Sequence, residues 1–145
     1  MSKGNTFEND LLQLIFNNVD IADIGDASGL QNSATAGSLY VALHTADPGE
    51  AGTAATSESA YGSYARQAVA RSGAGWTVSG NSSTNAALIQ FPECTSGSET
   101  ITHVSITTAS SGASKILYSG ALTASRSVSS GIQPQFAATA LTVTE

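Results

Sequence analysis

The sequence predicts a mainly β chain, an antiparallel β-sandwich with one short N-terminal helix, and three observations carry that expectation. Helical periodicity occurs once, near the N-terminus, where Phe7, Leu11, Leu14 and Ile15 share a face. From Ser38 onward, short runs with β-branched and aromatic residues replace it. Between those runs fall Gly80-Asn81, Ser96-Gly97, Ser111-Gly112 and Ser130-Gly131, each a pair that turns a chain sharply. About eight or nine short strands so punctuated fit a jelly-roll-like or an immunoglobulin-like sandwich equally well.

The helix opens at Thr6-Phe7-Glu8-Asn9, with Asn5 or Thr6 as the expected cap and Glu8 and Asp10 in the first turn, where carboxylates suit the helix dipole. Leu12 and Phe16 widen its apolar face, and Asn17-Asn18 ends the pattern. A helix of roughly three turns is marginal alone in water, so that face needs a partner: the chain's own sheet or a neighbouring subunit. Residues 19–37 read as an irregular linker, interrupted by Gly25, Gly29 and Gly37. Residues 1–37 thus form an arm, helix and linker, and residues 38–145 the β-sandwich domain.

Ser38 to His44 alternates, with Leu39, Val41 and Leu43 on one side and Tyr40, Ala42 and His44 on the other. Asp47-Pro48-Gly49 stops this half-buried strand. The stretch 46–62 has no apolar periodicity and is long for a passive connection, which makes it either mobile or an interaction arm. Further strands are expected over Tyr64–Arg71, Gly75–Ser79, Ala86–Phe91, Thr100–Thr107, Lys115–Ser119, Ser125–Val128, Ile132–Phe136 and Ala140–Thr144.

Composition narrows the function. Only 11% of residues are charged, against about 25% in ordinary globular chains. Ala, Ser, Thr and Gly make up more than half of the chain. Such a surface packs against protein with little charge to desolvate. The net charge is −6, and the five cations, Lys3, Arg66, Arg71, Lys115 and Arg126, are too scattered for a phosphate-binding track. Neither nucleic acid nor an anionic membrane is an expected partner. No apolar run approaches the ~20 residues of a membrane span, and the N-terminus lacks the apolar core of a signal peptide. Cys94 is single, so no internal disulfide forms.

Candidate chemistry is thin. Asp20, Asp23 and Asp26 recur every third residue, without the spacing or distal glutamate of a calcium loop, and read as turn caps on a linker. His44, His103 and Cys94 match no compact zinc motif. No nucleophile elbow or phosphate-binding glycine loop is present, and acids after residue 60 are too few for a glycan-cleaving pair. No enzyme, metal or cofactor is expected. Trp76, the single tryptophan, is a core anchor or else an interface hot spot. Arg66 pairs with an intrachain acid such as Glu50 or Glu58, or else forks onto a neighbour's carboxylate.

Several segments carry a resemblance: Ser38-Leu-Tyr-Val-Ala-Leu-His44 with its Asp47-Pro48-Gly49 exit, Tyr64-Ala-Arg66, Thr100-Ile-Thr-His-Val104, Lys115-Ile-Leu-Tyr-Ser-Gly-Ala-Leu122 and Phe136 to Glu145. Together they resemble a family of small structural proteins of tailed phages and prophages, commonly labelled tail fibre proteins and similar to capsid decoration (cement) proteins. The resemblance implies a virion protein assembled in the host cytoplasm. The leading expectation is a trimeric decoration protein stabilising contacts between major capsid protein subunits. The alternative is a small tail-fibre-associated or tail-tip protein with a host-binding role. Phe7, Leu11, Arg66 and Trp76 are the candidate interface residues.

Overall fold

The computed structural model describes residues 1–145. One helix, α1 (Asn5–Asn17), precedes nine strands: β1 (Ser38–His44), β2 (Gln67–Ala70), β3 (Trp76–Ser79), β4 (Ser82–Asn85), β5 (Ile89–Gln90), β6 (Ser98–Thr107), β7 (Ile116–Ser129), β8 (Gln135–Phe136) and β9 (Thr142–Thr144). They form sheets of order β2-β1-β6-β7, β3-β4-β9 and β5-β8. The class is mainly β and antiparallel with a single short helix, consistent with the expected β-sandwich. No helix is long and apolar enough to cross a membrane.

The chain forms two compact units, one of residues 1–38, 69–88 and 136–145, the other of residues 39–68 and 89–135. In the first, α1 lies on β3 and β4. Leu12 and Phe16, one helical turn apart, are its buried side chains. Phe16 meets Trp76 with ring centroids 4.8 Å apart and planes tilted by 59°, a separation at which aromatic rings attract. The helix therefore finds its partner within its own chain. Its N-cap is Gly4, with no side-chain capping bond, so neither Asn5 nor Thr6 serves as the cap. The other end is closed twice. Asn18 adopts the left-handed conformation (φ 58°) and returns its N–H to the Gln13 carbonyl. Arg71 then donates to the Ile15 and Leu14 carbonyls at 2.7 and 2.5 Å, supplying the cation that the last turn lacks.

β3 and β4 are joined by the expected Gly80-Asn81 turn, with Gly80 at φ 58° and its carbonyl accepting from Asn9 Nδ2 at 2.8 Å. β4 reads Ser-Ser-Thr-Asn, and packing rather than hydrophobicity makes it a strand. Asn85 is buried and donates to the carbonyls of Ala87 and Ala137, both at 2.7 Å. Its Oδ1 accepts the Leu141 N–H at 2.9 Å. One amide thereby ties β4 to the C-terminal segment that becomes β9. Lys3 and Glu145 form an ion pair between the ends of the chain.

In the second unit, β1 pairs with β6 from Tyr40↔Thr107 to His44↔His103. Its inward row is Leu39, Val41 and Leu43, as alternation predicts, but Ala42 and His44 are buried as well. The expected half-buried strand is thus covered on both faces toward its end. β6 and β7 form a long hairpin, and β7 fuses the two expected strands 115–119 and 125–128. Its register jumps between Ile101↔Arg126 and His103↔Ala121, so residues 122–125 bulge from the ladder.

Trp76 is fully buried, and its placement against Phe16 makes it the main apolar volume of the first unit. Trp76→Ala is expected to lower unfolding free energy by about 3–5 kcal/mol in urea titrations followed by far-UV circular dichroism. An interface-only tryptophan would leave the midpoint unchanged.

Candidate functional site

The polar chemistry of the chain converges on Arg66 in the second unit. Its Nε and Nη2 donate to the two carboxylate oxygens of Glu58 at 2.6 and 2.7 Å, a forked ion pair. Nη2 also donates to the Gly112 carbonyl at 2.7 Å. Nη1 donates to the Ala109 carbonyl at 3.0 Å and to Ser114 Oγ at 2.9 Å. A guanidinium has five N–H bonds, and all five are used within the chain. The arginine side chain is 1% exposed and that of Glu58 19%. The Glu58 hydrogen bonds hold Arg66 above its ordinary pKa. No donor remains for a neighbour's carboxylate, so Arg66 is a strut inside the unit.

That strut explains the stretch 46–62. Ser59 N–H reaches the Leu43 carbonyl at 2.8 Å, Thr45 N–H the Ser57 carbonyl at 2.8 Å, and Ala54 N–H the Ser114 carbonyl at 2.9 Å. Glu99 accepts from Ser59 Oγ and from the Ala60 N–H. Ala54, Ser59 and Tyr61 are buried. The long connection is a packed flap over β1, neither a free arm nor a slack loop. Tyr64 adds a further tie, its hydroxyl accepting the Leu43 N–H at 3.0 Å and donating to Glu58 at 3.2 Å. Burial pushes that phenol's pKa well up.

His44 is fully buried beneath the flap. Nδ1–H donates to the Thr56 carbonyl at 2.9 Å, which leaves Nε2 to accept from Ser105 Oγ at 2.8 Å. The contact has the form of a nucleophile–base pair, but both residues lie inside the unit and the ring is oriented by a backbone carbonyl. Its work is structural. Burial lowers the His44 pKa, offset by the Thr56 bond and by Glu58, and reinforced by Arg66 and His103.

The other candidates are held apart. His103 Nδ1 bonds Thr102 Oγ1 at 2.9 Å, and the buried Cys94 thiol donates to the Ser96 carbonyl at 3.2 Å. No group of three or more His, Cys, Asp or Glu residues is placed to hold a metal ion. Asp20 accepts the Asn32 N–H at 2.6 Å, twelve residues on, whereas Asp26 accepts those of Ser28 and Gly29, which is turn capping. Of the four candidate interface residues, Trp76 and Arg66 are thus committed inside the chain. Phe7, 38% exposed, and the half-buried Leu11 lie on the outer part of α1. Sequence reasoning missed Arg71, Asn85 and the His44–Ser105 pair, each of which acts on a partner more than fifty residues away.

A mainly β chain whose ionisable side chains brace loops, beneath a surface of small uncharged residues, has the make-up of a structural protein. The family model described as podophage GP4 fiber I protein gp80 matches residues 2–144, and the chain belongs to that family. The match bears out the resemblance to phage tail-fibre-type structural proteins, and membership implies a component of the virion. No match was found among curated proteins.

Arg66→Ala leaves Glu58 and three acceptors without their donor and is expected to cost about 3–5 kcal/mol, read as a shifted urea midpoint; a surface role for Arg66 would leave it in place. Because His44 has a lowered pKa in the folded state, the unfolded chain takes up the proton first as pH falls. Stability from this site is full above the ordinary value of 6.5 and is lost as pH falls from there through the folded value. Urea midpoints should drop over that interval in the native chain and drop less in His44→Gln.

Proposed function

We propose that this chain is a non-enzymatic structural subunit of a phage fibre, present in several copies per virion and working through protein–protein contacts. The observation that carries the reading is the fibre family match over residues 2–144. The inward commitment of Arg66, Glu58, His44 and Ser105 supports it, because those are the groups from which an active site would be drawn. Phe7 and Leu11 on the outer part of α1 are the apolar side chains we assign to contact with neighbouring subunits. Weak contacts repeated on a symmetric particle add up through effective concentration.

A second reading is favoured by a separate observation: the sequence has neither heptads nor a repeated shaft motif, and its sparsely charged surface suits close packing on a shell. Here the chain is a trimeric decoration protein seated on the major capsid protein. The two readings differ in stoichiometry. Quantitative mass spectrometry of purified virions is expected to give a copy number far below that of the major capsid protein. Parity between the two would overturn the fibre reading in favour of decoration, and absence from the virion would overturn both.

A further inference from the structure

β7 is the exposed edge of the four-stranded sheet, hydrogen-bonded to β6 alone. An edge strand offers a row of unpaired N–H and C=O groups, which proteins normally guard with charge, proline or bulges. Along β7 the stretch 118–121 runs in unbroken register with β6, from Ile106↔Tyr118 to His103↔Ala121. It contains no charge and no proline. Irregular register on either side confines the open template to residues 119–121 of it. Beside it, a half-open groove of about 340 Å³ is lined by Gly49, Glu50, Gly52, residues 115–117 and Ser119. A bare edge next to a groove is the arrangement by which sheets accept an added strand, with main-chain bonds for affinity and a recess for a side chain.

Charge narrows the occupant. Three of the five cations are committed inside the chain: Lys3 to Glu145, Arg66 to Glu58 and Arg71 to the end of α1. The other two, Lys115 and Arg126, are exposed, have no partner, and flank the open stretch. Two β7 strands paired antiparallel about the 120–121 bond would bring Lys115 of one copy toward the Arg126 end of the other, a like-charge approach. The edge therefore suits an acidic segment. The chain carries one in residues 19–30, with Asp20, Asp23 and Asp26, no cation, and exposed Val19, Ile24 and Leu30. Its Ile21↔Leu30 bridge already gives it the form of a narrow antiparallel loop, with Asp23 in the left-handed region at φ 60°.

We propose that the acidic 19–30 segment of one copy docks on the β7 edge of a second copy, with Lys115 and Arg126 facing its aspartates. The contact joins two different surfaces, so repetition closes a ring such as a trimer or extends a filament. This rests on the reading of the chain as a multi-copy virion subunit, and it adds a second pair of contact surfaces to the outer part of α1.

Sedimentation of the full chain tests it by charge exchange. The native chain self-associates, and more weakly as salt is raised. Lys115→Glu with Arg126→Glu, and separately Asp20→Lys with Asp23→Lys, each weaken association at least about 10-fold while circular dichroism stays native. Mixing the two variants restores association, because each supplies the charge that the other's surface now needs. A native chain that stays monomeric, variants that associate unchanged, loss in the edge variant alone, or a mixture without rescue would each overturn the proposal. None of these outcomes bears on copy number in the virion, so failure here is separable from failure of the fibre reading.

Discussion

The second unit depends on one buried guanidinium. Burying a charge is costly unless it is paired and its hydrogen bonds are met, and Arg66 meets that condition by drawing two loops onto itself. Glu58 comes from the flap 46–62, and the Ala109, Gly112 and Ser114 acceptors come from the turn between β6 and β7. Neither loop has an apolar pattern that would hold it. Both are long polar connections, and a fully satisfied five-donor hub replaces the hydrophobic face they lack. His44, Ser105 and Tyr64 complete the layer between the flap and β1.

The first unit solves a related problem with neutral groups and a helix end. Asn85 bonds three backbone groups and so recruits the C-terminal segment to β4. Arg71 meets the last carbonyls of α1. With polar groups spent inside both units, what remains outside is largely Ala, Ser, Thr and Gly, with a few exposed apolar side chains. Such a surface suits repeated, shape-driven contact between subunits and carries little of the chemistry of catalysis. It agrees with membership in a phage fibre family.

The helix and β1 were legible in the sequence because their periodicities are local and strong. The Gly80-Asn81 turn was legible for the same reason. β4 was not, since Ser82-Ser83-Thr84-Asn85 has no apolar alternation, and only the Asn85 bonds reveal why it pairs. β7 read as two strands because its period breaks where residues 122–125 leave the ladder. Arg66 was visible as a candidate, and Glu58 was one of its two named partners. Its role was not visible, because composition shows that five cations exist but not which of them are already used. The flap 46–62 looked loose for the same reason: its anchors Glu99 and Ser114 lie far along the chain. Phe7 and Leu11 kept an outward place because α1 buries only Leu12 and Phe16.

Hydrogen–deuterium exchange of the native chain, resolved to the segments 53–60 and 108–114, tests most directly whether the Arg66 hub holds both loops. If it does, the Ala54, Thr56, Ser59 and Ser114 amides exchange as slowly as those of β1 and β6, in one cooperative unit. Exchange of both segments at the rates of open loops, while β1 and β6 stay protected, would contradict the central place given to Arg66.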